Sequence, residues 1–217
     1  MDGWMERLKK IDMVELVIPF LLIIPKSKMS DSISNWVKSL KFYLKYYLTN
    51  HVVNRIPSHG FRTMWYRHFT GIKMGPESQI WLGCQFVGDT VDQIEIGHHT
   101  VLASNVIINA SAPVKIGDYV TVAHGVQILT ADHDYQDPFF QPRKAPVVIE
   151  SHAWIATSAI ILKGVTIGNG AVVGAGSVVS QSIKSLAMVA GNPPRQFGTR
   201  SQPAEPSSGP LQRPLFC

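Results

Sequence analysis

The chain has 217 residues and a net charge of +5, with 45% hydrophobic and only 16% charged residues. That length allows one core and a small extra element, and the low charge suits a body whose interior is apolar on every turn. Its two cysteines, Cys84 and Cys217, stand too far apart for a disulfide framework or a cysteine metal motif, which points to a reduced, cytoplasmic protein.

Positive charge gathers in the N-terminal region (Arg7, Lys9, Lys10, Lys38, Lys41, Lys45) and in the tail. An anionic membrane surface or an anionic cofactor fits this pattern at least as well as nucleic acid, and no nucleic-acid partner is expected. Residues 11–25 are apolar, but Asp12, Glu15, Pro19 and Pro25 interrupt them. The run is shorter than the roughly 20 residues of a spanning helix, and no secretory signal is visible. It suits a membrane interface or a partner's surface, peripherally at the inner face of the cell membrane. Residues 34–56 then read as one amphipathic helix. Trp36, Val37, Leu40, Tyr43, Leu44, Tyr47 and Leu48 recur at helical spacing, with Lys38, Lys41 and Lys45 between them. Such a helix covers one end of a sheet or lies on lipid. An irregular stretch with Arg62, Trp65, Tyr66, Arg67 and His68 completes an N-terminal segment over 1–71.

From about residue 72 the periodicity changes. Ile149, Ile155, Ile161, Ile167, Val173 and Val179 fall on a strict six-residue beat. The residue four after each of the first five is small or β-branched: Ala153, Ala159, Val165, Ala171, Ser177. Neither a helix nor a flat strand produces this spacing; a parallel β-helix does. Earlier apolar residues group into triplets on the same beat: Ile96, Leu102, Ile108, then Ile116, Val122, Ile128, with Ile80 and Phe86 before them. Each triplet is one turn of a three-sided prism. Steps of 10, 8 and 21 residues interrupt the beat after Phe86, Ile108 and Ile128, so all three insertions leave from one corner. Repeat proteins concentrate insertions on their binding face. The glycines of Ile116-Gly117-Asp118 and Ile167-Gly168-Asn169 are expected to supply positive φ at tight corners. Residues 182–200 leave the beat as a cap, with Gly191-Asn192-Pro193-Pro194-Arg195 as a turn. Residues 201–217 are Ser/Pro/Gln-rich and read as a disordered tail.

Over about 80–197 the coil resembles the hexapeptide-repeat acyltransferases, most of all the maltose and galactoside O-acetyltransferases and their exopolysaccharide relatives. The resemblance rests on Ile96-Gly97, Ile116-Gly117-Asp118, Thr130-Ala131-Asp132-His133, Ala153-Trp154-Ile155, Gly164-Val165-Thr166-Ile167-Gly168, Val173 to Val179, and Gly191-Asn192-Pro193. It implies a mainly β, left-handed parallel β-helix over 72–200 and a homotrimer with sites between adjacent prisms. It also implies transfer of an acetyl group from acetyl-CoA to a saccharide hydroxyl.

His133 takes the place of that family's catalytic base. A sugar hydroxyl needs its proton removed near neutral pH, and histidine suits the task. The resemblance gives the backbone N–H of Thr157 as oxyanion donor. Asp132 and Asp134 are candidates to orient the imidazole, and a backbone carbonyl would serve equally. Coenzyme A is assigned by resemblance to Ala156, Thr157, Gly174, Ala175 and Ser180, with Lys163 and Arg195 (and Arg200) as phosphate partners. Asn105, Tyr135 and Trp154 are candidate acceptor contacts. Ala103 stands where the family carries an asparagine, which argues for a different acceptor pocket from that of the small-sugar enzymes. His98, His99, His124 and His152 occupy outward positions and read as solvent-facing or at subunit contacts. No metal is expected: the nearest histidine pair, His124 and His133, lacks the gap of the zinc enzymes sharing this coil. The alternatives are an N-acyltransferase on an amino sugar and a non-catalytic scaffold at a membrane.

Overall fold

The six-residue beat closes into a coil with three parallel faces. In the computed structural model the first face pairs Lys73–Met74, Ile94–Ile96, Val114–Ile116, Val147–Ile149 and Thr166–Ile167. The second stacks Gln79–Ile80, Val101–Leu102, Thr121–Val122, Trp154–Ile155, Val172–Val173 and Ala187–Ala190. The third holds Gln85–Val87, Ile107–Asn109, Gln127–Leu129, Ile160–Ile161 and Val178–Val179. The structure describes residues 35–36, 40 and 43–201; the apolar run at 11–25 and the tail beyond 201 lie outside the described residues. The chain divides into two units, Met1–Leu44 and Lys45–Cys217, and the coil belongs to the second.

Register follows the triplets. Ile96, Ile116, Ile149 and Ile167 stand in one column, Leu102, Val122, Ile155 and Val173 in the next, and Phe86, Ile108, Ile128, Ile161 and Val179 in the third. All are buried. Each such side chain contributes about 1.5–3 kcal/mol of burial, and a one-residue slip would turn a whole column outward. The first coil begins one strand before Ile80, with Met74 in register with Ile96.

The beat also runs further than expected. Ile183 bridges to Ile167, and Val189, six residues on, pairs with Val173. Residues 182–190 are thus a sixth, incomplete coil. Only then does Arg195–Thr199 turn back antiparallel on Ala187–Ala190.

The corner glycines have a different role from the one expected. Gly97, Gly117 and Gly168 are not among the residues with positive φ; that conformation falls two residues later, on His99, Tyr119 and Gly170, and on His152, two residues after Glu150 in the intervening coil. At that corner the rings stack, His99 on Tyr119 and Tyr119 on His152, with centroids 4.8 and 5.2 Å apart. The earlier glycines are required by close approach. A Cβ on Gly97 would lie 2.6 Å from the Gly117 carbonyl carbon, and one on Gly117 would lie 2.6 Å from Ser151 N. Gly117→Ala should therefore cost about 2 kcal/mol and lower the thermal midpoint by about 4–8 °C in a circular-dichroism melt. An unchanged midpoint would mean that the coils slide apart without strain.

The start of the coil is closed by side-chain amides and a guanidinium. The edge strand Gln85–Val87 is read by Asn50, whose Nδ2 donates to Phe86 O and whose Oδ1 accepts from Phe86 N, both at 2.8 Å. Asn54 Nδ2 donates to Cys84 O, and Arg62, fully buried, donates to the carbonyls of Ile56, Pro57 and Ile80. The helix expected over 34–56 does cover this end, through Asn50 and Asn54, but its described residues do not form one regular α-helix, and residues 34, 37–39 and 41–42 lie outside the described residues. Helical residues 43–47 pass into a π-helical turn at Leu48–Val52 and a tight turn at Val53–Arg55, followed by a helix at His59–Trp65. The inward residues of this region are mostly polar, with Val53 and Tyr66 buried among them, while Tyr47 is exposed. The physical reason is that a strand edge presents unpaired N–H and C=O groups, which an apolar face cannot satisfy.

Candidate active site

The longest insertion leaves the third face after Leu129 and folds into a hairpin, Ala131–His133 against Pro142–Lys144. Thr130 anchors its base. The buried Thr130 hydroxyl donates to Asn109 O at 2.7 Å and accepts from the N–H groups of Ser111 and Ala112 at 2.9 Å. Ala145 N–H closes the stem on Thr130 O. At the tip, the Asp134 and Asp137 carboxylates accept from Gln136 N and Phe139 N, bending the chain until Phe140 takes a φ of 50°.

This turn serves His133, the last residue of the first hairpin strand. The imidazole Nδ1 lies 2.7 Å from Phe140 O, and its ring stacks on the Phe140 ring with centroids 4.5 Å apart and planes 6° from parallel. A carbonyl oxygen can only accept, so Nδ1 carries the proton of the neutral ring. Nε2 is then left as the basic nitrogen.

Asp132 faces other partners. Arg143 holds it through Nε at 3.0 Å and Nη2 at 3.3 Å, and Lys163 Nζ lies 3.4 Å away. Bonding to the Arg143 guanidinium, with a further contribution from Lys163, keeps the Asp132 carboxyl below its ordinary range. Arg143 also donates to His133 O, and its Nη1 lies 3.8 Å from Asp134. Lys144 pairs with Asp89 of the first insertion at 3.0 Å. Exposed pairs of this kind contribute little stability singly, but together they tie the His133 loop at several points.

The other residues singled out in the sequence gather elsewhere. Thr157 and Ala175 occupy matching turn positions at the corner between the second and third faces, and Gly176 N–H donates to Thr157 O. Ala156 and Gly174 flank them, and the N–H groups of Thr157 and Ala175 make no hydrogen bond among the described residues. Asn105 lies at the same corner two coils earlier with a φ of 59°, its side chain over Gly83. His124, read above as merely outward, stands in the coil between them, its carbonyl accepting from Ser158 N at 2.9 Å. Its place beside Thr157 follows from strand register across the 21-residue insertion, which no local pattern reveals.

Trp154 projects from the second face and is half exposed. Tyr135 lies exposed at the hairpin tip. Ser180 and Arg195 are exposed near the C-terminal end of the coil. Arg200 is bonded to the carbonyls of His152 and Gly170 at the first corner, remote from the Thr157 corner. Lys163 is likewise engaged, through Asp132. Among the described residues, no group of three or more His, Cys, Asp or Glu side chains is arranged to hold a metal.

His133 and Thr157 thus sit at two different corners of one prism. The third face separates them, six residues from Thr157 to Lys163, or about 20 Å of extended chain. One chain alone does not bring the imidazole to the Thr157 N–H.

The family model described as Bacterial transferase hexapeptide (six repeats) matches residues 146–181. The putative colanic acid biosynthesis acetyltransferase WcaF of Escherichia coli (strain K12) is 30% identical over 101 residues, 46% of this chain and 56% of the relative. The match therefore spans little more than half the length of that relative. Among solved structures, the hexapeptide-repeat acetyltransferase VCA0836 of Vibrio cholerae, complexed with acetyl coenzyme A, superposes with a TM-score of 0.66 and 29% identity. That match covers 77% of this chain and 89% of the other. A maltose O-acetyltransferase from Clostridium difficile 630 gives a TM-score of 0.54 at 25% identity, covering 74% and 84%. Residues 146–181 carry the hexapeptide repeat, and repeat, fold and sequence together make this chain similar to the acetyltransferases built on that coil.

Proposed function

We propose that the protein is an acetyl-CoA-dependent O-acetyltransferase acting on a saccharide hydroxyl, with His133 as general base in a homotrimer. The observation that carries this reading is the held imidazole: one nitrogen on the Phe140 carbonyl, the other free, on a hairpin tied down by Thr130, Arg143 and Lys144. Nε2 takes the proton of the acceptor hydroxyl as its oxygen attacks the thioester carbonyl carbon. The oxyanion of the tetrahedral intermediate is met by the N–H of Thr157 from an adjacent chain. Collapse breaks the carbon–sulfur bond, and the coenzyme A thiolate takes the proton from the imidazolium. The products are an acetyl ester and the free thiol.

The small residues Ala156, Gly174 and Ala175 leave room for a pantetheine arm against the backbone, with Ser180 and Arg195 further along the coil. Asn105, Tyr135 and Trp154 are proposed acceptor contacts. The threefold assembly is part of the same reading, because His133 and Thr157 stand at different corners within a chain, on either side of the third face, and neighbouring prisms can juxtapose them. A covalent route through Cys84 is disfavoured: the thiol is buried in the first coil, and burial pushes its pKa up to about 12.

The test is release of free thiol from acetyl-CoA by the purified chain in the presence of mono-, di- and oligosaccharides, with the oligomer mass measured by light scattering. Saccharide-dependent thiol release by a trimer is expected. Release with amino sugars alone, giving an N-acetyl product, would transfer the assignment to N-acylation; no release with any acceptor would remove it.

A further inference from the structure

The N-terminal cap turns its polar side to the protein and its apolar side to the outside. Along the helix His59–Trp65 and the turn Tyr66–Thr70, the buried residues are Arg62, Tyr66 and Thr70. Arg62 serves strand and turn carbonyls, and the Thr70 hydroxyl donates to Tyr66 O. The outward residues are Phe61, Met64 and Phe69, which are 40%, 43% and 52% exposed, with the Trp65 ring stacked on Phe69. The preceding turns are similar: Thr49, Asn50 and Asn54 are buried together with Val53, while Tyr47 and Val52 are exposed. Edge strands demand hydrogen-bond partners, so polar residues take most of the inward positions, beside Val53 and Tyr66, and the other apolar side chains are displaced outward. An apolar stripe of this kind, contributing nothing to its own core, marks a surface that another phase covers.

Charge identifies that phase. From Ser32 to Pro76 there is no aspartate or glutamate, while Lys38, Lys41, Lys45, Arg55, Arg62, Arg67 and Lys73 are all present. Of the lysines and arginines among the described residues of this stretch, Lys73 is ion-paired, to Glu95 at 2.7 Å, and Lys45, Arg55 and Arg67 show no ion pair among the described residues. A second copy of the same face would set cations against cations, which opposes self-association through it. An anionic bilayer meets both requirements, with an apolar boundary for Phe, Met and Tyr and headgroup charge for Arg and Lys. No helix among the described residues is long and apolar enough to cross a membrane, so contact is interfacial. We propose that the cap face carrying Tyr47, Val52, Phe61, Met64 and Phe69, rimmed by Lys45, Arg55 and Arg67, is a docking surface for an anionic lipid bilayer.

Flotation of the full-length protein tests this, using vesicles of phosphatidylcholine alone or with about one-third phosphatidylglycerol. Binding to the anionic vesicles only is expected, with loss on raising salt. The triple variant Phe61→Ser, Met64→Ser, Phe69→Ser should partition at least about tenfold more weakly, and Arg55→Ala about fivefold, the usual weight of one cation at such a surface. These side chains lie outside the buried core, and an unchanged melt is required of each variant before its flotation is compared. Saccharide acetylation in solution should also be unchanged, which separates this proposal from the proposed chemistry. Equal binding to neutral vesicles, no binding to either, or wild-type flotation by the triple variant would each overturn it. So would a concentration-dependent larger oligomer abolished by the triple variant in the absence of lipid.

Discussion

Replacing His133 by alanine should lower turnover about 10²–10⁴-fold, the range that a positioned general base supplies. The affinity for acetyl-CoA should change little, because no cofactor contact is proposed for the imidazole. The environment of the ring is the reason. Phe140 O accepts a hydrogen bond from Nδ1–H at 2.7 Å and the Phe140 ring lies flat on the imidazole, so tautomer and plane are both set before substrate arrives. A base held in this way loses little freedom on reaching the transition state. The hairpin is anchored through Thr130 and through the Asp132–Arg143 pair rather than through the imidazole. The variant should therefore keep its melt and its oligomeric mass. The measurement is steady-state thiol release at saturating acetyl-CoA, with circular dichroism as the control on folding. Turnover within a factor of a few of wild type would remove His133 from the mechanism and the proposed chemistry with it.

A second large effect is expected at the other end of the molecule. Asn50→Ala should destabilise the protein by about 3 kcal/mol and lower the thermal midpoint by about 6–12 °C. Asn50 is 5% exposed and supplies both a donor and an acceptor to Phe86, as a further strand would. Alanine leaves that N–H and C=O unpaired at a buried site, and each costs about 1–3 kcal/mol. Asn50→Asp is nearly the same shape and is a stricter test. It retains the acceptor for Phe86 N–H but places a carboxylate against Phe86 O, so it should be at least as damaging as alanine. Both variants uncover the edge of Gln85–Val87, and aggregation on heating should begin earlier. If aspartate proved as stable as wild type, the amide would not be acting as a strand substitute.

The two expectations describe one design. A parallel coil has open ends and, in a single chain, a divided site. The N-terminal end is closed by groups that satisfy the backbone, which displaces apolar side chains outward. In the proposed trimer, the hairpin corner of one prism would meet the Thr157 corner of another and complete the site.

The repeat made the coil legible from the sequence. A strict six-residue spacing permits a single way of burying Ile149 to Val179, so face assignment, register and the common corner of the insertions all follow from counting. The histidine loop was legible for the same reason, since its place after Ile128 is set by the beat. Three features were decided only by tertiary structure. The carbonyl that holds His133 belongs to Phe140, seven residues away, and reaches the ring through a turn that no periodicity marks. The corner glycines are required by the backbone of the next coil, a contact across about twenty residues or more, rather than by their own φ. The helical spacing before residue 56 correctly separated apolar from polar residues but did not say which side faces the coil. Periodicity records that a helix has two sides; the unpaired hydrogen-bonding groups of the strand edge decided which of them was needed.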